Sequence, residues 1–297
     1  MKIADQDVDV EKMLARFRVE EGKSFRLKKH DPDDTAGLKI DKEAAEALLQ
    51  FGVDRLSKQQ DMLYAQDRWS VLCIFQAMDA AGKDGTIKQV FSGLNPQGCH
   101  VVSFKQPGAV ELDHDFLWRH VTALPSRGQI GIHNRSWYEE VLVARVHPLV
   151  LAGQKLPEAL VTKHIWDERL ADISGYEQYL ARQGVVVLKF FLNVSPEEQK
   201  KRFLSRLDEP TKNWKFSPGD VAERRHWNAY MDAYERAIRA TAAPACPWYV
   251  VPADNKWFTR LIVVAAINRA LKGLKLHYPV VTDAQRAALA EARAALG

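Results

Sequence analysis

Five apolar segments, each followed by a helical pattern, constrain the fold of this chain more than any other sequence feature. The segments are "SVLCIFQ" (70–76), "HVVSF" (100–104), "GQIGIH" (128–133), "GVVVLKFFLNV" (184–194) and "PWYVVP" (247–252). Continuous apolar strands that alternate with helices are typical of a parallel sheet covered on both faces. The sequence therefore predicts an α/β fold with a mainly parallel, five-stranded sheet. Ligands of such folds bind at the carboxyl ends of the strands.

The composition is that of an ordinary globular protein and does not by itself indicate a function. Hydrophobic residues make up 46% of the 297 residues, charged residues 27%, and the formal net charge is +4. Such a mild net charge means that a strongly anionic partner must meet a local cluster of positive charge. Three cysteines without a CxxC pair, and an amino terminus unlike a signal peptide, predict a cytoplasmic location. No apolar run is long enough to span a bilayer, so we expect no membrane contact.

The loop after the first strand, "AMDAAGKDGT" (77–86), departs twice from the phosphate-binding pattern G-x-x-x-x-G-K-[ST]. Ala77 stands at the first glycine, and Asp84 stands where a magnesium-binding hydroxyl is usual. The strand, loop and helix context still predicts that backbone amides bind an oligo-anion here. Lys83 is expected to contact the transferred phosphoryl group. The other expected phosphate-binding residues of the loop are Ala80, Ala81, Gly82, Asp84, Gly85 and Thr86.

Asp79 lies inside this anion-binding loop, where its carboxylate would repel a phosphate. A divalent cation between the two groups removes the conflict. We therefore predict that Asp79 is a ligand of Mg²⁺ or Mn²⁺, directly or through water, and Thr86 is a weaker candidate. Asn134 could orient a metal-bound water, and Glu139 or Glu140 could assist. For the two glutamates, a position on the solvated face of a helix is an equally good interpretation.

Six segments together carry a family resemblance, and they occur in the order "MDAAGKDGTIK", "NPQGCHVVSFKQP", "HDFLWRHV", "RGQIGIHNRSWYEEVLVARVHP", "RFLSRLDEPTKNWKFSP" and "PWYVVPADNKWFTR". They resemble the polyphosphate kinase 2 family, and within it the branch that phosphorylates nucleoside mono- and diphosphates, over residues 25–272. The resemblance implies a three-layer, P-loop kinase-like fold with a helical lid, similar to thymidylate kinase, and a homo-oligomer. The loop of that family reads G-x-D-x-x-G-K-x-G, so Asp84 fits and only Ala77 departs.

Further candidate residues follow the second and third strands. Arg135 is placed to clamp a phosphate bidentately, or else to form a buried ion pair that ties loop to helix. In nucleotide kinases the acceptor usually enters between these strands, and Trp118 there suits base stacking or core packing. The expected acceptor-binding residues are Lys105, Trp118, Arg119, Asn134 and Tyr138.

A basic segment follows the fourth strand. Its helix is predicted to begin with a capping box formed by Ser195 and Glu198. Arg202 and Arg206 are four residues apart and therefore share one helix face. Because the segment resembles the lid of the family, we expect both arginines to be catalytic. Lys212 and Lys215 follow and are expected to bind phosphate.

The resemblance implies reversible transfer of a terminal phosphoryl group from inorganic polyphosphate to AMP or ADP. Guanine nucleotides stay open as acceptors. A phosphate acceptor is already ionised near neutral pH, so direct in-line transfer needs alignment and charge neutralisation, not a base.

Two other functions fit parts of the sequence. An ATP-dependent nucleoside monophosphate kinase would place a hydroxyl after Lys83, and that hydroxyl is absent. A non-catalytic phosphate-binding regulator would explain Ala77 and Asn134. A nucleic-acid partner is not expected, because the basic cluster lacks interleaved aromatic residues. We expect an amino-terminal extension with a docking helix (1–64), a phosphotransferase core (65–275) with its lid at about 196–226, and a carboxyl-terminal tail (276–297).

Overall fold

The computed structural model describes residues 2–3, 6–7 and 9–297, with the backbone alone at residues 2–3, 6–7, 215 and 218. The strands are β1 (Lys2–Ile3), β2 (Gln6–Asp7), β3 (Arg18–Val19), β4 (Ser70–Ala77), β5 (Cys99–Ser103), β6 (Ile130–Asn134), β7 (Val185–Asn193) and β8 (Trp248–Pro252). Strands β3 to β8 form one sheet in the order β3-β8-β7-β4-β6-β5, and β1 pairs with β2. Strands β4 to β8 are mutually parallel, whereas β3 is antiparallel to β8.

The helices connect these strands and cover the sheet. They are α1 (Val10–Phe17), α2 (Lys42–Gln66), α3 (Lys83–Phe91), α4 (Ala109–Leu112), α5 (Trp118–Val121), α6 (Glu139–Val146), α7 (Pro148–Ala152), α8 (Ile165–Arg182), α9 (Pro196–Asp208), α10 (Pro218–Glu223), α11 (Trp227–Thr241), α12 (Lys256–Gly273) and α13 (Asp283–Leu296). In the part of the chain that the structure describes, no helix is long and apolar enough to cross a membrane.

Two neighbouring residues of β7 show that helices lie on both faces of the sheet. Phe190 stacks on Phe75 of β4, which in turn contacts Phe91 of α3. Phe191 packs against Tyr234 of α11, with ring centroids 4.2 Å apart. Because successive side chains of a strand point to opposite faces, α3 and α11 lie on opposite sides of the sheet. The predicted three-layer α/β arrangement is confirmed.

Strand β4 occupies the middle of the sheet and therefore places the loop after it at the centre of one edge. Phe75 of β4 pairs with Asn134 at the end of β6, and Ala77 pairs with Leu192 near the end of β7. The carboxyl ends of these parallel strands consequently meet around the loop that begins at Met78. Such an edge is where α/β proteins bind ligands.

The structure changes three details of the predicted elements. The two-residue strand β3 adds a sixth member to the sheet, and it is too short to show a strand pattern in the sequence. The helical pattern after the second predicted strand is split into α4 and α5, because Asp115 accepts a hydrogen bond from the amide of Leu117 (2.9 Å) and forms a turn. Ser195 caps α9 as predicted. The backbone amide of Ser195, however, donates to Asp254 (2.8 Å) and not to Glu198, so the predicted capping box is only half formed.

A buried ion pair links β7 to α8 behind the sheet. Lys189 and Glu177 are 0% and 1% exposed, and their side chains bond each other. Lys189 also donates to the carbonyl of Thr241 (2.7 Å), and Glu177 accepts from Trp137 and Tyr138 (3.1 and 2.7 Å). Burial raises the pKa of Glu177, while Lys189 acts in the opposite direction. Each charge is therefore tolerated only in the presence of its partner.

Replacing Lys189 with methionine should destabilise the fold by about 3–5 kcal/mol, because it leaves the Glu177 carboxylate buried without a counter-charge. Urea denaturation of the purified protein measures this free energy of unfolding. The matched control Lys200→Met removes an exposed lysine and should change the stability by less than about 0.5 kcal/mol. Equal stability of the two variants would contradict the assigned role of the pair.

Candidate active site

The loop between β4 and α3 has the backbone of an anion-binding turn. Ala80 and Gly82 adopt positive φ angles of 59° and 105°. Ala77 does not; it lies in extended conformation in β4 and pairs with Leu192. The alanine at the first glycine position therefore carries no backbone strain, because only positive φ penalises a side chain. The position that needs glycine in this loop is 82.

Lys83 begins α3 and lies across the mouth of the loop. Its side-chain nitrogen donates to the carbonyl oxygen of Ala77 (2.8 Å), and the residue is 9% exposed. Burial lowers the pKa of Lys83, and the guanidinium of Arg135 lowers it further, whereas nearby carboxylates, first among them Asp79, oppose both effects. The lysine is thus fixed within the site, where it can contact a bound phosphate.

Arg135 connects the loop to the start of α6. Its guanidinium contacts Asp79 of the loop (3.1 Å) and Glu139 of α6 (3.3 Å). These carboxylates, Glu139 first, raise the pKa of Arg135 against the effect of burial. Arg135 has a φ of 68°, which is uncommon for a residue other than glycine and is concentrated at functional sites. The side chain is 39% exposed and remains accessible to a ligand.

Asn134 and Asp84 meet at the end of β6. The amide nitrogen of Asn134 donates to a carboxylate oxygen of Asp84 (2.7 Å). The amide oxygen of Asn134 is buried, and no hydrogen-bond partner for it is found among the described residues. An acceptor oxygen and a carboxylate therefore lie side by side next to the loop, and both are ligand types that Mg²⁺ prefers.

Arg202 of α9 binds the outer side of the loop. It donates to the carbonyl oxygens of Ala80 and Ala81 (3.2 and 2.7 Å) and to those of Ala253 and Asp254 after β8 (2.6 and 3.1 Å). Its Nε donates to a carboxylate oxygen on the same helix, and the residue is 8% exposed. Arg202 therefore contacts the loop itself and positions it, and its expected catalytic role stays a prediction.

The other basic residues of the predicted lid lie around the same opening. Arg206 forms an ion pair with Asp220 of α10 (3.5 Å), and its guanidinium stacks over Phe203. Lys212 lines the opening and bonds Glu209 next to it. The side chain of Lys215 lies outside the described residues, so its predicted role is not addressed by the structure.

Of the five predicted acceptor-binding residues, two lie at the cleft and three lie away from it. Lys105 lines the cleft, as Asn134 does. Arg119 is 8% exposed, donates to the carbonyl of Lys105 (2.7 Å) and pairs with Glu140 (3.3 Å). Trp118 stacks on a neighbouring histidine ring instead of lining the cleft. Tyr138 is 0% exposed and donates to a buried glutamate, so it is a core residue and not an acceptor-binding one.

A cleft of about 800 Å³ opens above the loop and collects most of the predicted site. The predicted residues that line it are Asp79, Ala80, Ala81, Gly82, Lys83, Asp84, Gly85, Thr86, Lys105, Asn134, Arg135, Arg202, Arg206 and Lys212. Glu139 contacts Arg135 from outside this lining. Lys256 and Arg260 of α12 also line the cleft and were not predicted. Their position after the last strand, four residues apart in "NKWFTR", was the available signal.

An anion-binding loop at the carboxyl edge of a parallel sheet, below a cleft lined with lysines and arginines, defines a P-loop kinase-like α/β protein. The sequence model of the family described as polyphosphate kinase 2 matches residues 39–278. The chain therefore belongs to the polyphosphate kinase 2 family.

Relatives and a solved structure support this assignment over nearly the whole chain. The protein is 50% identical to an ADP-polyphosphate phosphotransferase of Rhodopseudomonas palustris, over 94% of this chain and 96% of that protein. It is 43% identical to an AMP/ADP-polyphosphate phosphotransferase of Meiothermus ruber, over 90% and 96%. The crystal structure of a polyphosphate kinase 2 from Arthrobacter aurescens TC1 superposes with a TM-score of 0.83 at 39% identity, over 92% and 95% of the two chains.

Replacing Arg202 with lysine should loosen the loop, because one ammonium group cannot reach the carbonyl groups of both Ala80–Ala81 and Ala253–Asp254. Loss of charge-assisted hydrogen bonds predicts that the amides of residues 80–82 exchange with solvent about tenfold faster or more. Hydrogen exchange followed by mass spectrometry measures this rate.

The neighbouring Lys201 provides a matched control. It lies on the same helix, pairs with the same Glu198 and is 80% exposed, but it does not touch the loop. Lys201→Ala should leave the exchange of the loop amides unchanged. Unchanged exchange in Arg202→Lys as well would show that the loop keeps its shape without this arginine.

Proposed function

We propose that this protein transfers the terminal phosphoryl group of inorganic polyphosphate to AMP or ADP. The observation that carries the proposal is the number of cations around one anion-binding loop. The basic residues that line the cleft are Lys83, Lys105, Arg135, Arg202, Arg206, Lys212, Lys256 and Arg260. A linear polyanion with a negative charge on every phosphate is complementary to such a surface. The names of the relatives from Rhodopseudomonas palustris and Meiothermus ruber support adenine nucleotides as acceptors.

The chemistry requires alignment and neutralisation of charge more than it requires a base. The terminal phosphate of the acceptor is largely ionised at neutral pH, because its second pKa is about 6. One of its oxygens attacks the terminal phosphorus of polyphosphate in line. The bond to the bridging oxygen breaks, and the shortened chain leaves as an anion. Lys83 and Arg135 are placed to stabilise the charge on the transferred group, while the loop amides orient it.

A divalent cation, Mg²⁺ or Mn²⁺, fits the donor set around the loop. In the described part of the chain, no group of three or more His, Cys, Asp or Glu side chains is arranged to hold a metal ion. Mg²⁺, however, is commonly bound through one or two carboxylates together with substrate phosphates. Asp79 would be its main protein ligand, and the buried, unpaired oxygen of Asn134 beside Asp84 would orient a water molecule. When bound, the ion would neutralise charge on the donor phosphates.

We assign this activity to residues 65–275, with residues 196–226 acting as a lid over the cleft. The extent of the family match, residues 39–278, supports a core of this size. Helix α9 and helix α10 supply Arg202, Arg206 and Asp220 to the cleft, which supports the lid assignment. Residues 1–64 and 276–297 then extend the core at either end.

A coupled assay with AMP or ADP as acceptor tests the proposed donor. Polyphosphate should support transfer, and transfer from ATP alone would overturn the proposal. Lys83→Ala should lower the rate by a factor of about 100 or more, because a charge that contacts the transferred group is lost. Lys88→Ala serves as the control, since Lys88 is exposed on the same helix and does not line the cleft.

Replacing Asp79 with asparagine preserves the shape of the side chain and removes its charge. We expect the Mg²⁺ concentration for half-maximal rate to rise about tenfold or more, and the rate at saturating Mg²⁺ to fall about 100-fold. Steady-state rates over a magnesium titration measure both quantities. In the control Asp232→Asn, an exposed carboxylate that pairs with Arg236 on α11 is neutralised, and neither quantity should change. Wild-type rates for Asp79→Asn throughout the titration would remove the carboxylate from the mechanism.

A further inference from the structure

Helix α12 begins at the edge of the cleft with an amino terminus suited to anions. It spans Lys256–Gly273 and follows β8 directly. Its first turn contains no acidic residue, and the side chain of the N-cap Asn255 makes no capping hydrogen bond. That side chain instead donates to Asp33 (2.6 Å). The positive end of the helix dipole is therefore not neutralised by a carboxylate in its first turn.

Lys256 and Arg260 extend the positive surface of the cleft beyond the loop. They are four residues apart on α12, so they share one helix face. Both also line a second cavity of about 380 Å³, whose other wall is the start of α2. The two cavities thus border each other along this pair. Lys42 at the start of α2 adds a third cation to the second cavity, whose α2 wall also contains Asp41 and Glu46.

Neither cation has a carboxylate in direct contact in the part of the chain that the structure describes. Among the described residues, neither forms an ion pair within 4 Å, and the Nε of Arg260 is buried without a hydrogen-bond partner. The carboxylates that act on them over longer distances are Glu198 for Lys256 and Glu46 for Arg260. Burial lowers the pKa of Lys256, and the positive charges of Arg202, Lys212 and Arg260 lower it further. Such crowding of like charge is relieved by an anion.

The position of Lys256 and Arg260 relative to the strands of the sheet indicates which substrate they contact. The loop follows the central strand β4, and Lys105 lies to one side of it, after β5. Lys256 lies on the other side, after β8. If the acceptor enters between β5 and β6, the donor phosphates that are not transferred must leave the loop towards β8. A long polyanion bound by the loop would therefore run along α12.

We propose that Lys256 and Arg260 bind donor phosphates distant from the transferred one, so that the protein selects long polyphosphate chains over short ones. This inference rests on the proposed function for the identity of the polyanion. The loop between β4 and α3 accommodates the terminal phosphates of a polyphosphate of any length. A chain that extends past Arg202 gains contact with the two cations of α12, whereas a short chain ends before them.

The test compares binding of inorganic tripolyphosphate and of polyphosphate several tens of units long, by calorimetry at fixed ionic strength. The ratio of the two dissociation constants, short over long, is the readout. Lys256→Gln/Arg260→Gln should lower this ratio about tenfold, because two charge contacts of the long chain are lost. It should also reduce the dependence of long-chain binding on salt. The single variant Lys256→Gln should give an intermediate ratio.

Lys200→Gln/Lys201→Gln is the control, since it removes the same charge from an exposed part of α9 that does not line the cleft. It should keep the wild-type ratio. A wild-type ratio in the α12 variants, with circular dichroism showing that they are folded, would overturn the inference. Because the readout is binding, it is independent of turnover. Wild-type protein that binds long chains preferentially but transfers no phosphate would reject the proposed function alone.

Discussion

The guanidinium of Arg202 is the interaction on which the geometry of the site depends. It donates hydrogen bonds to the carbonyl groups of Ala80 and Ala81 on one side and of Ala253 and Asp254 on the other. In a peptide unit the carbonyl and the amide point in opposite directions. Holding the loop carbonyls towards α9 therefore directs the following amides towards the cleft, where an anion would bind them. One buried cation thus links the lid helix, the loop and the end of β8.

Two further arginines of the cleft, Arg135 and Arg206, are paired with carboxylates. Asp79 and Glu139 both contact Arg135, and Asp220 contacts Arg206. These partly exposed pairs contribute little to stability, but they hold the long side chains close to where a polyanion would need them. In the proposed reaction, a bound phosphate would replace a carboxylate as partner of the guanidinium. Asp79 would then be available to a cation.

Sequence patterns predicted the layers of the fold because burial on both faces of a strand leaves a continuous apolar run. They also placed Lys83 and Arg135 in one cleft, since both follow strands whose carboxyl ends meet. Sequence patterns did not predict the role of a side chain whose hydrogen-bond partners lie far away in the sequence. Helical spacing put Arg202 and Arg206 on one face, but it could not show that Arg202 meets carbonyl groups from two other segments. In the same way, nothing adjacent to Tyr138 reveals that its hydroxyl bonds Glu177, thirty-nine positions away.

Two departures from the usual phosphate-binding motifs compensate each other in the structure. P-loop enzymes commonly hold Mg²⁺ with a hydroxyl after the loop lysine and an aspartate after a neighbouring strand. Here a carboxylate, Asp84, follows Lys83, and an amide, Asn134, ends β6, and the two side chains bond each other. The negative charge has moved from the strand to the helix, but the pair still offers both a charge and a neutral oxygen. Since Ala77 is also unstrained, neither departure favours a protein that has lost catalysis.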